Sequence, residues 1–239
     1  MDLMSITERQ KEILDTIIKE YVKTAKPVSS SFLEQKYDFG ICPATIRNEM
    51  QKLTDDGFLA QPHTSAGRVP TDKGYRLFVN GLIGAKEPEK KKDLEFELAK
   101  TSGLDDVIRS MQELSKSVAS ATESLVIGYL SGEGVLWKEG WEEVLRQPEF
   151  TQKELMSDFL DYLEYLETDI KRIKPDSDFE LFIGRENPYP KGREFSTFSM
   201  VFEPAENQEM MFSLIGPKRM AYDKNIALIN QVIRLFEEL

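Results

Sequence analysis

The sequence predicts an α+β protein in two unlike parts: a small helical unit carrying a short β-ribbon, then a larger unit of helices around an antiparallel sheet. Three observations carry that expectation. Helix-start signals followed by apolar residues at helical spacing recur through the first part of the chain, as far as Leu53. A pair of short extended segments marked by Gly and Pro comes next, between Phe58 and Pro70. From Phe179 the texture changes to β-rich runs separated by turns and closed by a last amphipathic helix.

Thr7-Glu8-Arg9-Gln10 has the form of a capping box, in which the Thr hydroxyl and the Gln side chain satisfy each other's backbone amides. Ile13, Leu14, Ile17, Ile18, Tyr21 and Val22 follow at helical spacing, so a first amphipathic helix is expected from Thr7 to Lys23. Lys26-Pro27 interrupts it. Ser29, Ser30 and Ser31 offer N-caps for a short second helix through Lys36, with Phe32 and Leu33 inward. After a turn at Asp38-Phe39-Gly40, Pro43 stands in the first turn of a third helix, where a missing amide costs nothing. Ile46, Met50 and Leu53 form its buried stripe, and Gly57 supplies its stop. The last two helices, joined by a Gly-bearing turn, read as a helix-turn-helix. Phe58–Gln61 and Arg68–Pro70 bracket a turn-rich tip, Pro62–Gly67, which makes a wing. Thr71 then caps a helix carrying Tyr75, Leu77, Phe78 and Val79. Residues 1–80 are therefore expected to be a winged helix-turn-helix domain.

Residues 81–103 read as a polar linker and helix start, and the lysines at 86 and 90–92 as a solvated helix start, with a DNA contact as the alternative. Residues 104–239 are expected to form the second domain. Leu104, Val107, Met111, Leu114, Val118, Ala121 and Leu125 alternate spacings of three and four on one helix. Two readings stay open: a helix packed on its own domain, or a two-fold dimer seam through Leu104, Met111, Leu114, Val118 and Leu125. Trp141 to Leu166 reads as a helical pair around Arg146–Phe150. "ELFIGREN", "FSTFSMVFEP" and "MFSLIGP" read as three strands, and Asp223 to Glu238 as a helix burying Ile226, Ile229, Val232, Ile233 and Phe236.

The net charge of -11 is unevenly spread. Residues 1–85 hold eleven Lys/Arg and eleven Asp/Glu, whereas residues 86–239 hold twenty against thirty-one. Two electrostatically different parts suggest two tasks, and a neutral domain can bind phosphate when its cations face one way. Catalysis has little to work with: His63 is the sole histidine and Cys42 the sole cysteine. Neither a zinc site of the usual kind nor a phosphate-cradling Gly loop is expected, so no catalytic residue, metal or cofactor is assigned. No apolar run approaches the ~20 residues that span a bilayer, the N-terminus lacks a signal-peptide pattern, and a cytoplasmic protein is expected.

The third helix is where binding chemistry gathers. With its apolar stripe inward, Ala44, Arg47, Asn48 and Gln51 fall on the opposite face. Arg, Asn and Gln can make paired hydrogen bonds to guanine or adenine edges, and Ala can pack on a thymine methyl. Thr45 and Lys52 flank that face and suit phosphates. In the wing His63, Thr64, Ser65 and Arg68 are further DNA-contact candidates, followed by Lys73 and Arg76 at the next helix start and Ser29 and Ser30 at the start of the second helix. The alternative for the helix is an ordinary polar face, and for His63 an exposed loop residue. Cys42 reads as a stand-in for a small polar cap, with a redox switch as the alternative.

"TERQKEILDTIIKEYVKTAKPVSS", "ICPATIRNEMQKLTDDGFLAQPHTSAGRVPTDKGYR", "QPEF", "IGREN" and "IGPKRMAYDK" occur in that order and resemble the heat-inducible transcription repressor HrcA family. The resemblance is close over about the first eighty residues and patchy but ordered beyond them. It implies a homodimeric repressor that binds an inverted-repeat operator upstream of chaperone operons and is released on heat stress. It also implies a GAF-like second domain and the chaperonin GroEL as a folding partner. The family's DNA helix maps onto Pro43 to Leu53 and its wing onto Gln61 to Pro70. Two departures stand out. Cys42 occupies a cap position that is usually Ser. The passage from "ESLVIGYL" to "VLWKEGWEEVLRQPEF" is abrupt where the family has a long section with sheet strands and an inserted dimerisation segment. The expectation is thus a shortened member with a reduced GAF-like domain, in which the heptad helix takes over more of the dimer contact. Two competitors are a small-ligand-responsive winged-helix regulator and a chaperone-associated interaction protein.

Overall fold

The structure, a computed structural model, describes residues 6–84, 104–170, 179–205 and 208–237. The chain divides into two compact units, residues 1–86 and 87–239.

In the first unit α1 (Glu8–Thr24) starts at Thr7 with the full capping box. Its inner face, Ile13, Leu14, Ile17 and Ile18, is completely buried. Ser29 caps α2 (Ser30–Lys36), and Pro43 opens α3 (Pro43–Asp55). Ile46, Met50 and Leu53 of α3 and Leu33 of α2 close the core against α1. Phe32, expected inward, is instead 37% exposed, because a seven-residue helix buries only one side and Leu33 takes it. Gly57, with φ +76, ends the α3 region and leads into a ribbon of β1 (Leu59–Ala60) and β2 (Val69–Pro70). Beside the ribbon Val28 forms an isolated antiparallel bridge with Arg68, exchanging backbone hydrogen bonds of 2.9 and 2.7 Å. That approach is why residue 67 is glycine: a Cβ there would lie 2.4 Å from the Val28 carbonyl. α4 (Asp72–Gly84) follows; its last residues, 81–84, take up the first part of the expected linker. The rest of that linker, with its lysines at 86 and 90–92, lies outside the described residues.

In the second unit α5 (Leu104–Thr122) stops three residues short of the expected Leu125, at Glu123, whose backbone is left-handed with φ 53. A five-stranded antiparallel sheet follows in the order β4-β3-β7-β6-β5. Its strands are β3 (Leu125–Leu130), β4 (Val135–Glu139), β5 (Phe179–Ile183), β6 (Phe195–Ala205) and β7 (Gln208–Pro217). Between β4 and β5 run α6 (Trp141–Leu145), a short 3-10 turn (Pro148–Thr151) and α7 (Lys153–Asp169). These cover one sheet face through Val144, Phe150, Phe159, Tyr162, Leu163 and Leu166, packed on Leu125, Ile127, Phe195 and Ile215. α5 and α8 (Tyr222–Glu237) cover the other. There Trp137 donates its indole N–H to Ser115 of α5, and Phe202 stacks on Phe236 of α8. Gly128 lies under that Trp137 ring, where a Cβ would clash at 2.3 Å.

Two expectations are corrected here. The hairpin of β3 and β4 was not foreseen, although it supplies two of the sheet's strands. β3 lies between two neighbours and is buried on both faces, so it shows no polar alternation and reads as a continuation of the heptad run. The dimer seam is also not available as such. Met111, Leu114, Val118 and Leu125 are fully buried within this one chain, Leu104 is half-buried, and Leu125 is a strand residue. Of the two open readings, the structure has the helix packed on its own domain.

Candidate nucleic-acid interface

α3 is held from beneath by polar as well as apolar contacts. Glu49 is buried beside the Ile46–Met50–Leu53 stripe, where its carboxylate accepts a 3.0 Å hydrogen bond from the Gln10 amide at the start of α1. Lys52 donates to the same carboxylate at 3.3 Å. The capping box orients Gln10, because its Oε1 accepts from the Thr7 amide while its Nε2 reaches Glu49. One residue thus starts α1 and pins α3. Sequence reasoning gave Gln10 only the first task and passed over Glu49, whose place beside the apolar stripe was the available signal.

A second buried carboxylate braces α2. Glu20 of α1 is 1% exposed and accepts from Lys36 Nζ at 2.8 Å and from the Tyr37 hydroxyl. The hydrogen bonds from Lys36 and then Tyr37 hold its carboxyl below the usual range despite burial.

On the outer side of α3, Ala44, Arg47, Asn48, Gln51 and Lys52 are exposed and Thr45 is half-buried. Among the described residues nothing pairs with Arg47 or Asn48. Gln51 is different: its Nε2 donates to Asp55 at 2.7 Å and its Oε1 accepts from Arg68 Nη2 at 2.9 Å. Arg68 also donates through Nε to Thr54 at 2.9 Å, so it spans from the ribbon to α3. Lys52, read as a phosphate contact, rests on Glu49 while staying exposed. At the N-terminus of α3, Cys42 is exposed and its thiol lies 3.2 Å from the Thr45 hydroxyl. The Thr45 hydroxyl and backbone amide, with the Ala44 amide, draw the thiol below its ordinary value.

The ribbon tip carries His63, Thr64 and Ser65, all exposed. Gln61 shapes it by donating to the Thr64 and Ala66 carbonyls at 2.9 and 3.0 Å. Lys73 is exposed but engaged: its ammonium bonds the Asp56 carbonyl at 2.7 Å and sits 4.2 Å over the Phe58 ring. Arg76 is half-buried on the same helix. Ser29 spends its hydroxyl on the Phe32 amide, and Ser30 is half-buried beside it.

In the second unit the motifs quoted above are brought together as structural pins. Arg219 of "GPKRM" forks onto Glu149 at 2.6 and 3.1 Å and onto Gln147 at 2.7 Å, both from "QPEF". Asn187 of "IGREN" is buried and donates to the Tyr162 hydroxyl at 2.6 Å, which in turn bonds Thr197. Among the described residues no group of three or more His, Cys, Asp or Glu could hold a metal, and no helix is long and apolar enough to cross a membrane.

Helical unit, ribbon and sheet together define a two-unit α+β protein whose accessible chemistry is a polar helix face. The family profile described as the HrcA protein C terminal domain matches residues 76–226, more than half of the 239 residues. The chain belongs to the HrcA family. A relative from Streptomyces avermitilis is 46% identical over 121 residues, covering 48% of this chain and 36% of the relative. One from Natranaerobius thermophilus is 45% identical over 128 residues, covering 52% and 37%. Both are named heat-inducible transcription repressor HrcA. The matched stretch therefore spans little more than a third of each relative. A crystal structure described as that of a hypothetical protein shares the fold with a TM-score of 0.83, at 21% identity and over 98% of both chains. That likeness runs over nearly the whole length of both chains.

Proposed function

We propose that this chain is a DNA-binding transcriptional repressor of heat-shock (chaperone) operons that binds an inverted-repeat operator as a homodimer and is released on heat stress. The first unit acts as a winged helix-turn-helix domain, and the second as a reduced GAF-like regulatory and dimerisation domain. The observation that carries the reading is the outer face of α3. Arg47 and Asn48 stand exposed on a helix whose opposite face is locked by Ile46, Met50, Leu53 and the Gln10–Glu49 hydrogen bond. A side chain reads a base edge only if its helix arrives already positioned. Ala44 and Gln51 share that face, and Thr45 and Lys52 border it toward the phosphates. His63, Thr64 and Ser65 at the wing tip, Arg68, Lys73 and Arg76 beside it, and Ser29 and Ser30 at the start of α2 supply the flanking contacts. A two-fold dimer places two such helices at matched half-sites, which is why the operator is a palindrome. Loss of the folded dimer on heating, with the chaperonin GroEL as the partner that restores it, releases the operon.

Selection of bound sites from random duplexes by the full chain tests this. Enrichment of a sequence with two inverted half-sites is expected; a pool that never departs from random sinks the proposal.

A second reading, regulation by a small ligand, draws on one observation in the α+β unit. Asn225 is completely buried on α8 and neither atom of its amide has a partner among the described residues. Native mass spectrometry of the purified chain would favour it on finding a bound metabolite.

A further inference from the structure

Gln51 lies on the proposed base-reading face, and Arg68 on the ribbon that forms the proposed wing. The structure joins them. Arg68 can only donate and the Asp55 carboxylate only accept, so between them the Gln51 amide has one orientation: oxygen toward Arg68, NH2 toward Asp55. Reading an adenine requires both ends of that amide to face the base together. Here they are held at 2.9 and 2.7 Å by groups on either side. Arg68 is committed in turn. Its Nε reaches Thr54 on the next turn of α3 at 2.9 Å, and its backbone is bonded on both N–H and C=O to Val28. Thr54 is itself fixed, its hydroxyl donating to the Met50 carbonyl at 2.8 Å. Gly67 next door admits no side chain, so the backbone that carries Arg68 has no slack toward Val28.

We propose that Arg68 and Gln51 are positioning residues: a relay from β2 through Arg68 to Thr54, Gln51 and Asp55 that sets the wing's angle to the reading helix. Base discrimination then rests on Arg47, Asn48 and Ala44. This rests on the DNA-binding reading above, and it reassigns two residues within it. The planar fork of Arg is required, because a lysine ammonium at 68 cannot meet two acceptors a helical turn apart with fixed geometry.

The test uses the full chain and the duplex that it selects. Arg68→Ala and Gln51→Ala are each expected to weaken binding about fivefold to tenfold, and the double variant no more than the worse single one, because both break the same link. Arg68→Lys is expected to fall between parent and Arg68→Ala. The slope of log affinity against log salt is expected to stay that of the parent in Arg68→Ala, and Gln51→Ala is expected to select the same sequence. A slope shallower by about 0.9 would make Arg68 a phosphate contact. Lost preference at one base pair in Gln51→Ala would make it a reader. Either result, or a double variant weakened by the product of the two single factors, overturns the relay while leaving DNA binding intact. Failure of the parent chain to select any duplex overturns the underlying reading instead. Circular dichroism of each variant separates these outcomes from misfolding.

Discussion

α3 and α5 are both amphipathic helices with an apolar stripe; the sequence suggests DNA for the polar face of α3 and leaves the stripe of α5 open between its own domain and a second copy. In the structure the two faces end differently. The polar face of α3 stays in solvent with Arg47 and Asn48 exposed, whereas the stripe of α5 is covered by the chain's own sheet, with Met111, Leu114 and Val118 at 0% exposure. The contrast has a simple cause. An apolar stripe states that a face will be buried but not against what, and a domain's own sheet is the nearest cover. A polar face needs no cover, so its exposure can be read from spacing alone.

The largest effect that tests this contrast lies in α5. Leu114→Ala is expected to cost about 2–5 kcal/mol of stability by leaving a cavity against the sheet, read as a drop in the urea midpoint of the second unit. A Met111→Glu, Val118→Glu double variant is expected to unfold that unit outright. If it stays folded and only dissociates in light scattering, the stripe is a seam after all. On α3 the expectation reverses: Arg47→Ala leaves stability within about 0.5 kcal/mol and costs about 1–3 kcal/mol in duplex binding with relaxed specificity. Equal binding by anisotropy would remove Arg47 from the interface.

Glu49→Ala probes what holds α3 rather than what it presents. It orphans the Gln10 amide and is expected to cost about 1–3 kcal/mol, visible as a lower thermal midpoint of the first unit. A smaller effect concerns acid. The Glu20 carboxyl is held below its ordinary value of 4.5 in the folded chain, so its contribution is fully present above that value. It is lost as pH falls from 4.5 through the folded value. Glu20→Gln should therefore flatten the decline in stability of the first unit below pH 4.5, and an unchanged slope would show that Glu20 does not carry it.

Much of the first unit was legible because its signals are local. Thr7 with Gln10, Ser29, Pro43 and Gly57 each act within one turn of chain, and each stands at an element boundary in the structure. The hairpin of β3 and β4 was missed because a central strand covered on both faces has no period of its own. Glu20 and Glu49 were missed for a related reason: a carboxylate in sequence reads as solvated, and only its partners make burial affordable. The same holds for Gln51 and Arg68, whose spacing suggested two independent contacts and whose geometry makes them one link.

The sequence by itself determined the helix starts and stops, which face of α3 would be wet, the change from helical to sheet texture, and the family. These follow from periodicity and capping, which depend on neighbours within a few residues. Only the tertiary structure decided what covers α5, that "QPEF" and "GPKRM" meet through Arg219 and Glu149, and that the β-ribbon is tied to α3 by Arg68. Such pairings join residues far apart in the chain, and no local pattern encodes the distance between them.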